Sequence, residues 1–310
     1  MKPVTAWPPP VARLVSPPMP SKMRKPLWTH PGLLTALLGA SFIINLPLSA
    51  VVVFKGWREG LFVAEVAAVL MPAVVYLLIT KGPWTGLVGV SRRTVSSVLL
   101  AAIAAACAWV TGMVLMNRFV QMLPARLVEK IEENAKGMEP LLRCETRHHW
   151  VWAILGVVVA AAVGEELLFR GVVQRGLQQR WSRTPALFLT AAIFAAFHLQ
   201  PLMLPMLFAL GLLFGWLYQR SGSLWPPIIA HATNNLLAVL VYNTGDAFDS
   251  VVEGPEWAWL VLGATAVGAA AVWAVASGTR PPRPPVPPTP ETAPISSGGP
   301  TDLPGGPAGH

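Results

Sequence analysis

Eight long, nearly uninterrupted apolar stretches decide most of what this sequence can fold into. Leu33–Phe54, Leu61–Ile79, Val95–Met116 and Trp150–Val172 are each long enough to cross a bilayer, which takes about 20 apolar residues in a helix. Ala186–Leu199 is shorter, and Leu202–Tyr218, Pro226–Tyr242 and Trp257–Ala276 complete the set. In lipid only helices and closed barrels satisfy every backbone N–H and C=O. Continuous runs of this length are not the alternating strands of an outer-membrane barrel. The expected fold class is therefore all-α, a polytopic membrane protein with about eight transmembrane helices. Charged residues make up 12% of the chain and hydrophobic residues 54%, whereas soluble domains carry roughly 25% charged residues. That composition excludes a soluble fold. The two cysteines, Cys107 in an apolar stretch and Cys144 in a polar one, make no disulfide framework and no CxxC metal motif.

The apolar stretches divide the chain into three parts. Residues 1–31 and 277–310 read as disordered, proline-rich cytoplasmic tails around an eight-helix membrane domain at 32–276, whose motif-bearing core is 150–242. Of the 31 prolines, 9 fall in residues 1–31 and 11 in residues 281–310, a composition that favours extended chain. No cleavable signal peptide is visible, because the first apolar run follows a basic, proline-rich tail. The net charge of +8 would suggest nucleic acid in a soluble protein. Here the bases cluster in particular loops, so the positive-inside rule accounts for them and no nucleic-acid partner is expected. Placing both termini inside assigns Lys2, Arg13, Lys22, Arg24, Lys25, Lys81, Arg92 and Arg93 to the cytoplasm. Arg170, Arg175, Arg180, Arg183, Arg220, Arg280 and Arg283 follow, while Asp246, Asp249, Glu253 and Glu256 fall outside. A bacterial inner membrane with cytoplasmic termini is the expected setting. Segment 117–148 is the longest interior polar stretch. Its middle, Leu123–Met138, reads either as an amphipathic helix on the outer surface or as an exposed loop helix.

Ionisable side chains inside apolar spans are costly, which makes them functional suspects. Glu165, Glu166, His198, His231 and Asn235 stand out. In Gly164-Glu165-Glu166-Leu167-Leu168-Phe169-Arg170-Gly171, Glu166 and Arg170 are four apart and share a helix face, so they can pair. Glu165 points about 100° away and stays free for chemistry. Phe194 and His198 share a face in the fifth stretch, and His231 and Asn235 share one in the seventh; Asn234 points elsewhere, as a packing or hydrogen-bonding residue. Each pair alone can be read as ordinary packing or interfacial polarity. Together they fit hydrolysis by activated water. A carboxylate and a histidine can hold the water and take its proton. A second histidine and an amide can donate to the oxyanion that forms.

These three motifs, in this order, resemble the CAAX protease and bacteriocin-processing family of intramembrane endopeptidases, which includes the type II CAAX prenyl proteases. Its EExxxR motif matches Glu165, Glu166 and Arg170; its FxxxH motif matches Phe194 and His198; its HxxxN motif matches His231 and Asn235. The resemblance covers about residues 150–242. It implies an eight-helix endopeptidase with an intramembrane site open to the cytoplasm. Glu165 and His198 would activate water, His231 and Asn235 would form the oxyanion site, and Glu166, Arg170 and Phe194 would support them. It implies no cofactor, although Glu165, His198 and His231 together are also a set that can bind zinc.

The substrate expected is a peptide or membrane-protein segment reached from the bilayer, prenylated or not. Two other classes of function compete: a non-catalytic scaffold or immunity-type protein of the same fold, and a proton-coupled transporter. The latter would show internal repeats, and none is visible. One geometric difficulty follows from the assigned spans. Glu165 lies near the end of the fourth, while His198 lies roughly 18 Å along the fifth. Bringing them together predicts that the fifth and sixth stretches form a tilted or shallow hairpin. Glycines and alanines such as Gly211, Gly215, Ala191 and Ala192 are expected to permit close helix packing.

Overall fold

The computed structural model describes residues 27–82, Leu87, residues 92–244 and residues 254–278. Most of both tails, and the acidic residues Asp246, Asp249 and Glu253, lie outside the described residues. Nine helices longer than three residues form among those described: α1 (Pro31–Lys55), α2 (Arg58–Ile79), α3 (Arg92–Val120), α4 (Ala125–Leu142), α5 (Arg147–Gln178), α6 (Arg183–Phe197), α7 (Leu204–Ser221), α8 (Trp225–Thr244) and α9 (Trp257–Gly278). No strand occurs among the described residues. The chain is an all-α polytopic membrane protein.

All eight apolar stretches are helical, and among the described residues six of these helices are long and apolar enough to cross a membrane: those that include α1, α2, α3, α5, α7 and α9. The two that fall short bear the site residues. Helix α6 has only 15 residues. Helix α8 has 20 residues, but His231, Thr233, Asn234 and Asn235 interrupt its apolar pattern.

One correction concerns α5. Its apolar run suggests an end at Val172, yet the helix continues to Gln178. Arg170, Gln174 and Arg175 break the hydropathy pattern without ending the helix, because Arg170 and Gln174 are wholly buried against other helices. Arg170 and Arg175 are thus helical residues, not loop bases, and Arg170 has no place in a positive-inside count. Helix α5 is the central element: 61% of its most apolar window is buried, against 11% for α9. It departs from α geometry in two π-helical stretches, Ile154–Ala160 and Leu167–Gln174, on either side of Glu165 and Glu166. Wide turns of this kind occur frequently at functional sites. Helix α2 contains a third, Glu65–Leu70.

Small residues set the spacing of the bundle, since lipid gives no hydrophobic drive for helices to associate and close packing must supply it. A Cβ on Gly211 would lie 3.0 Å from Ala191 Cα. One on Gly215 would lie 2.5 Å from Leu187 Cδ1. Helices α6 and α7 are therefore in near-backbone contact and antiparallel, as the small residues predict. Gly156 abuts Phe62 N, and Gly164 abuts Leu70, so α2 runs parallel to α5. Gly268 meets Cys107, and Thr265 Oγ1 lies 3.4 Å from Thr111 Oγ1, which makes α9 antiparallel to α3. These directions agree with a chain that alternates from one apolar helix to the next. Segment 117–148 contains α4, whose described side chains are mostly exposed; Leu141 is buried, and its carbonyl accepts from Arg58 Nη1 at 3.1 Å.

Candidate active site

Four helices meet around the motif residues. From α5 come Glu165, Glu166 and Arg170; α6 ends in Phe194 and His198; α7 supplies Gly211 and Phe214; α8 supplies His231 and Asn235. The extended α5 removes the difficulty over depth. Glu165 lies roughly 20 Å before the end of α5, and His198 roughly 22 Å after the start of α6, at about 1.5 Å per residue. The two are therefore level across the α5–α6 turn. His198 Nε2 and Glu165 Oε2 are 3.7 Å apart.

Glu166 and Arg170 form an ion pair in which both residues are 0% exposed. Arg170 Nη1 donates to Glu166 Oε1 at 2.8 Å, and its Nη2 donates to the Gly211 carbonyl at 3.1 Å. The guanidinium lies 4.6 Å from the Phe194 ring centroid and 5.5 Å from that of Phe214. A buried guanidinium gives the carboxylate its partner and is itself weakly hydrated, which lowers the cost of enclosing it. The same carboxylate oxygen receives a second donor, His231 Nδ1 at 2.9 Å. Phe214 stacks on the His231 ring at 5.0 Å and 17°. Glu166 thus orients His231 on a neighbouring helix, and the ring's Nε2 remains for chemistry.

His198 sits where α6 stops. Leu199 adopts a left-handed conformation, with φ at +54°, which a β-carbon normally disfavours. His198 Nδ1 donates to the Phe194 carbonyl at 2.8 Å, one helical turn back. In the neutral ring this leaves Nε2, the atom facing Glu165, as the acceptor. Phe194 packs 4.8 Å from His198 and 6.0 Å from His231, centroid to centroid, so the phenyl ring spaces the two imidazoles. Asn235 Nδ2 donates to the Val157 carbonyl at 2.8 Å, and Asn235 Oδ1 accepts from Asn234 Nδ2 at 3.1 Å. Asn234 thus acts as a hydrogen-bonding residue. One of the two amide hydrogens on Asn235 is committed to α5 and one remains.

Three elements of the site were not picked out in the sequence. Gln174, one turn beyond Arg170, is wholly buried and donates to the Gly215 carbonyl at 3.0 Å. It repeats, one turn on, the bond from Arg170 to Gly211. Phe214 reads as one more apolar residue of its helix and gives no sequence signal. Glu65 gives a clear one, a single acid a few residues into the second apolar stretch; it faces α5 and interacts electrostatically with Glu165. A cavity of about 510 Å³ lies beside Asn234, lined also by Asn117, Gln121 and Gln200. It shares Met116, Met206 and Leu210 with a more apolar cavity of about 630 Å³ between α3, α7 and α9.

Residues 147–237 match the family model described as type II CAAX prenyl endopeptidase Rce1-like. Through these helices the chain resembles the CAAX prenyl endopeptidases. The match runs from the start of α5 into α8 and leaves α1 to α4 and α9 outside it. A protein of Bacillus subtilis (strain 168) named "Putative membrane peptidase YdiL" is 30% identical over 90 residues. That alignment covers 28% of this chain and 37% of the relative, so the chain spans little more than a third of the length of the curated protein it matches. As for zinc, among the described residues no three His, Cys, Asp or Glu side chains converge to hold a metal ion.

Proposed function

We propose that this chain is an intramembrane endopeptidase that hydrolyses a peptide bond with water activated by Glu165 and His198. The observation that carries the reading is the approach of Glu165, the carboxylate that Arg170 does not hydrogen-bond, to a histidine whose Nδ1 is anchored, at 3.7 Å. That separation is wider than a hydrogen bond, as catalytic contacts often are before substrate binds. In the proposed step a water O–H proton passes to the Glu165–His198 pair as its oxygen bonds to the scissile carbonyl carbon. The negative charge that builds on the carbonyl oxygen is met by the remaining amide hydrogen of Asn235 and by Nε2–H of His231 in its imidazolium form. The captured proton then goes to the leaving nitrogen as the C–N bond breaks. Glu166 and Arg170 hold His231 in place and take no proton.

The substrate class proposed is a peptide or membrane-protein segment, prenylated or not. Supporting this, the cavity beside Asn234 presents four side-chain amides, which suit peptide main chain, and an apolar cavity continues from it. A metal-independent mechanism is part of the proposal.

The test is cleavage of quenched-fluorescent peptides, prenylated and not, by the purified protein in detergent, with Glu165→Gln as the control and with and without a chelator. Cleavage lost in Glu165→Gln and retained with chelator is expected. Cleavage abolished by chelator and restored by zinc would overturn the metal-independent mechanism. Normal expression with no cleavage of any peptide would instead favour a binding or immunity-type protein.

A further inference from the structure

Asn234 stands one residue before the proposed oxyanion donor and lies outside the three motifs. Its neighbour Asn235 serves that role only one way round. Turned one way, the Asn235 amide presents N–H donors to α5 and to the site; turned the other, it presents a carbonyl oxygen that would repel an oxyanion. Two contacts set the direction. Asn235 Nδ2 donates to the Val157 carbonyl at 2.8 Å. Val157 lies within the π-helical stretch Ile154–Ala160, and a main-chain carbonyl can only accept. Asn235 Oδ1 accepts from Asn234 Nδ2 at 3.1 Å. The order of this relay is fixed from its α5 end. The Val157 carbonyl requires the nitrogen of Asn235, which leaves the oxygen of Asn235 for Asn234 and so requires the nitrogen of Asn234 in turn. Asn234 Oδ1 is left at the far end, shielded from solvent and without a hydrogen-bond partner among the described residues. A buried acceptor left unpaired costs more than an ordinary hydrogen bond returns, so this arrangement is not one that stability alone selects.

We propose that Asn234 is a positioning residue: its Nδ2–H holds the Asn235 amide in the direction that leaves a free amide hydrogen of Asn235 for the oxyanion. This rests on the endopeptidase reading of the site. Val157 alone leaves the Asn235 amide held at one end, and Asn234 holds the other. An ionised carboxylate in place of Asn234 would reverse the preference. It has no N–H to give, its oxygen repels Asn235 Oδ1, and it draws Asn235 Nδ2 away from Val157. A protonated carboxyl has an O–H to give and restores the original direction. Asn234 also borders the cavity of about 510 Å³, and none of the residues that line that cavity is ionisable. A charge introduced at position 234 therefore finds no opposite charge across the cavity and acts on Asn235. The residue works through the direction of one hydrogen bond and not through its bulk.

The experiment pairs a readout that needs no substrate with one that does. In purified protein labelled with ¹⁵N-asparagine, the Asn235 side-chain amide is identified by magnetic resonance from its loss in Asn235→Ala. Its protons should exchange with water roughly tenfold faster in Asn234→Ala than in wild type, because one hydrogen bond no longer holds the amide. With any peptide the wild type cleaves, Asn234→Ala should lower kcat about tenfold at unchanged KM. Asn234→Asp at high pH should lower kcat by about 10²-fold, near the loss of an oxyanion donor. Relative to wild type it should recover as pH falls and the new carboxyl takes up its proton. Both variants should melt at the wild-type temperature. The proposal is overturned if amide exchange at Asn235 is unchanged in Asn234→Ala, if Asn234→Ala keeps the wild-type kcat, or if Asn234→Asp tracks Asn234→Ala at every pH. A rise in KM alone would make Asn234 a substrate contact and overturn it too. A wild type that cleaves nothing would defeat the endopeptidase reading, while the exchange measurement would still decide whether Asn234 holds Asn235.

Discussion

Replacing Arg170 with methionine tests how the site is held together. The side chain is 0% exposed and makes two hydrogen bonds, one to Glu166 and one to the main chain of α7. Methionine fills much of the volume and keeps some contact with Phe194 and Phe214. What it cannot do is neutralise Glu166, which is equally buried. Removing one member of a buried ion pair costs about 3–5 kcal/mol, most of it from the charge left behind. For a domain of roughly 150–250 residues, each kcal/mol moves Tm by about 2–4 °C. Arg170→Met should therefore lower Tm by about 10 °C, measured by circular dichroism in detergent. Glu166→Gln, which strands the guanidinium, should cost a similar amount. The double variant should recover a large part of the loss, because neither charge is then stranded. A fall of less than about 2 °C for Arg170→Met would refute the reasoning. So would a double variant as unstable as the sum of the singles, because then the loss would be one of packing.

Gly215→Ala should destabilise by about 1–3 kcal/mol, because the new Cβ would lie 2.5 Å from Leu187 Cδ1 and 2.7 Å from Gln174 Oε1. Gly263→Ala, where nothing lies within 4 Å, should leave the melting curve unchanged or slightly raised. Asn243 Oδ1 accepts from Cys144 N at 2.6 Å, and its Nδ2 donates to the Leu142 carbonyl at 3.0 Å. Asn243→Ala strands both groups at a cost of about 1–3 kcal/mol, and amide hydrogen exchange at residues 142–146 should accelerate. Reporter fusions at either terminus should place both ends in the cytoplasm, and opposite signals from the two ends would refute an even number of crossings.

Hydropathy and spacing made the helices legible because apolar runs of span length have few alternatives. The same method misjudged α5 at Val172, since it reads a buried Arg170 and Gln174 as the onset of a loop. Those side chains find their partners on α7, 41 residues further along the chain, and local pattern does not report contacts at that range. Glu166 with Arg170, and Phe194 with His198, were legible as pairs because each lies within one helical turn. The bond from His231 to Glu166 joins residues 65 apart, and the bond from Asn235 to Val157 joins residues 78 apart. Neither has a sequence signature. Glu65 broke an apolar run as plainly as Glu165 does, but it stood alone, with no partner at helical spacing to mark it.

The paired bonds from Arg170 to Gly211 and from Gln174 to Gly215 have a mechanical consequence. They are two rungs at one fixed offset, so sliding α7 along α5 by a single residue would break both at once. Rotating α7 would drive Gly215 out of the only spacing that Leu187 and Gln174 tolerate. Helices α5, α6 and α7 are in effect bolted into a slab, with Glu165 and His198 mounted on one side of it. Any breathing motion that admits a bulky chain must leave the slab whole. The give has to come from the opposite wall, where α3 borders both cavities and meets α7 through the flexible end of the Met206 side chain against Gly112.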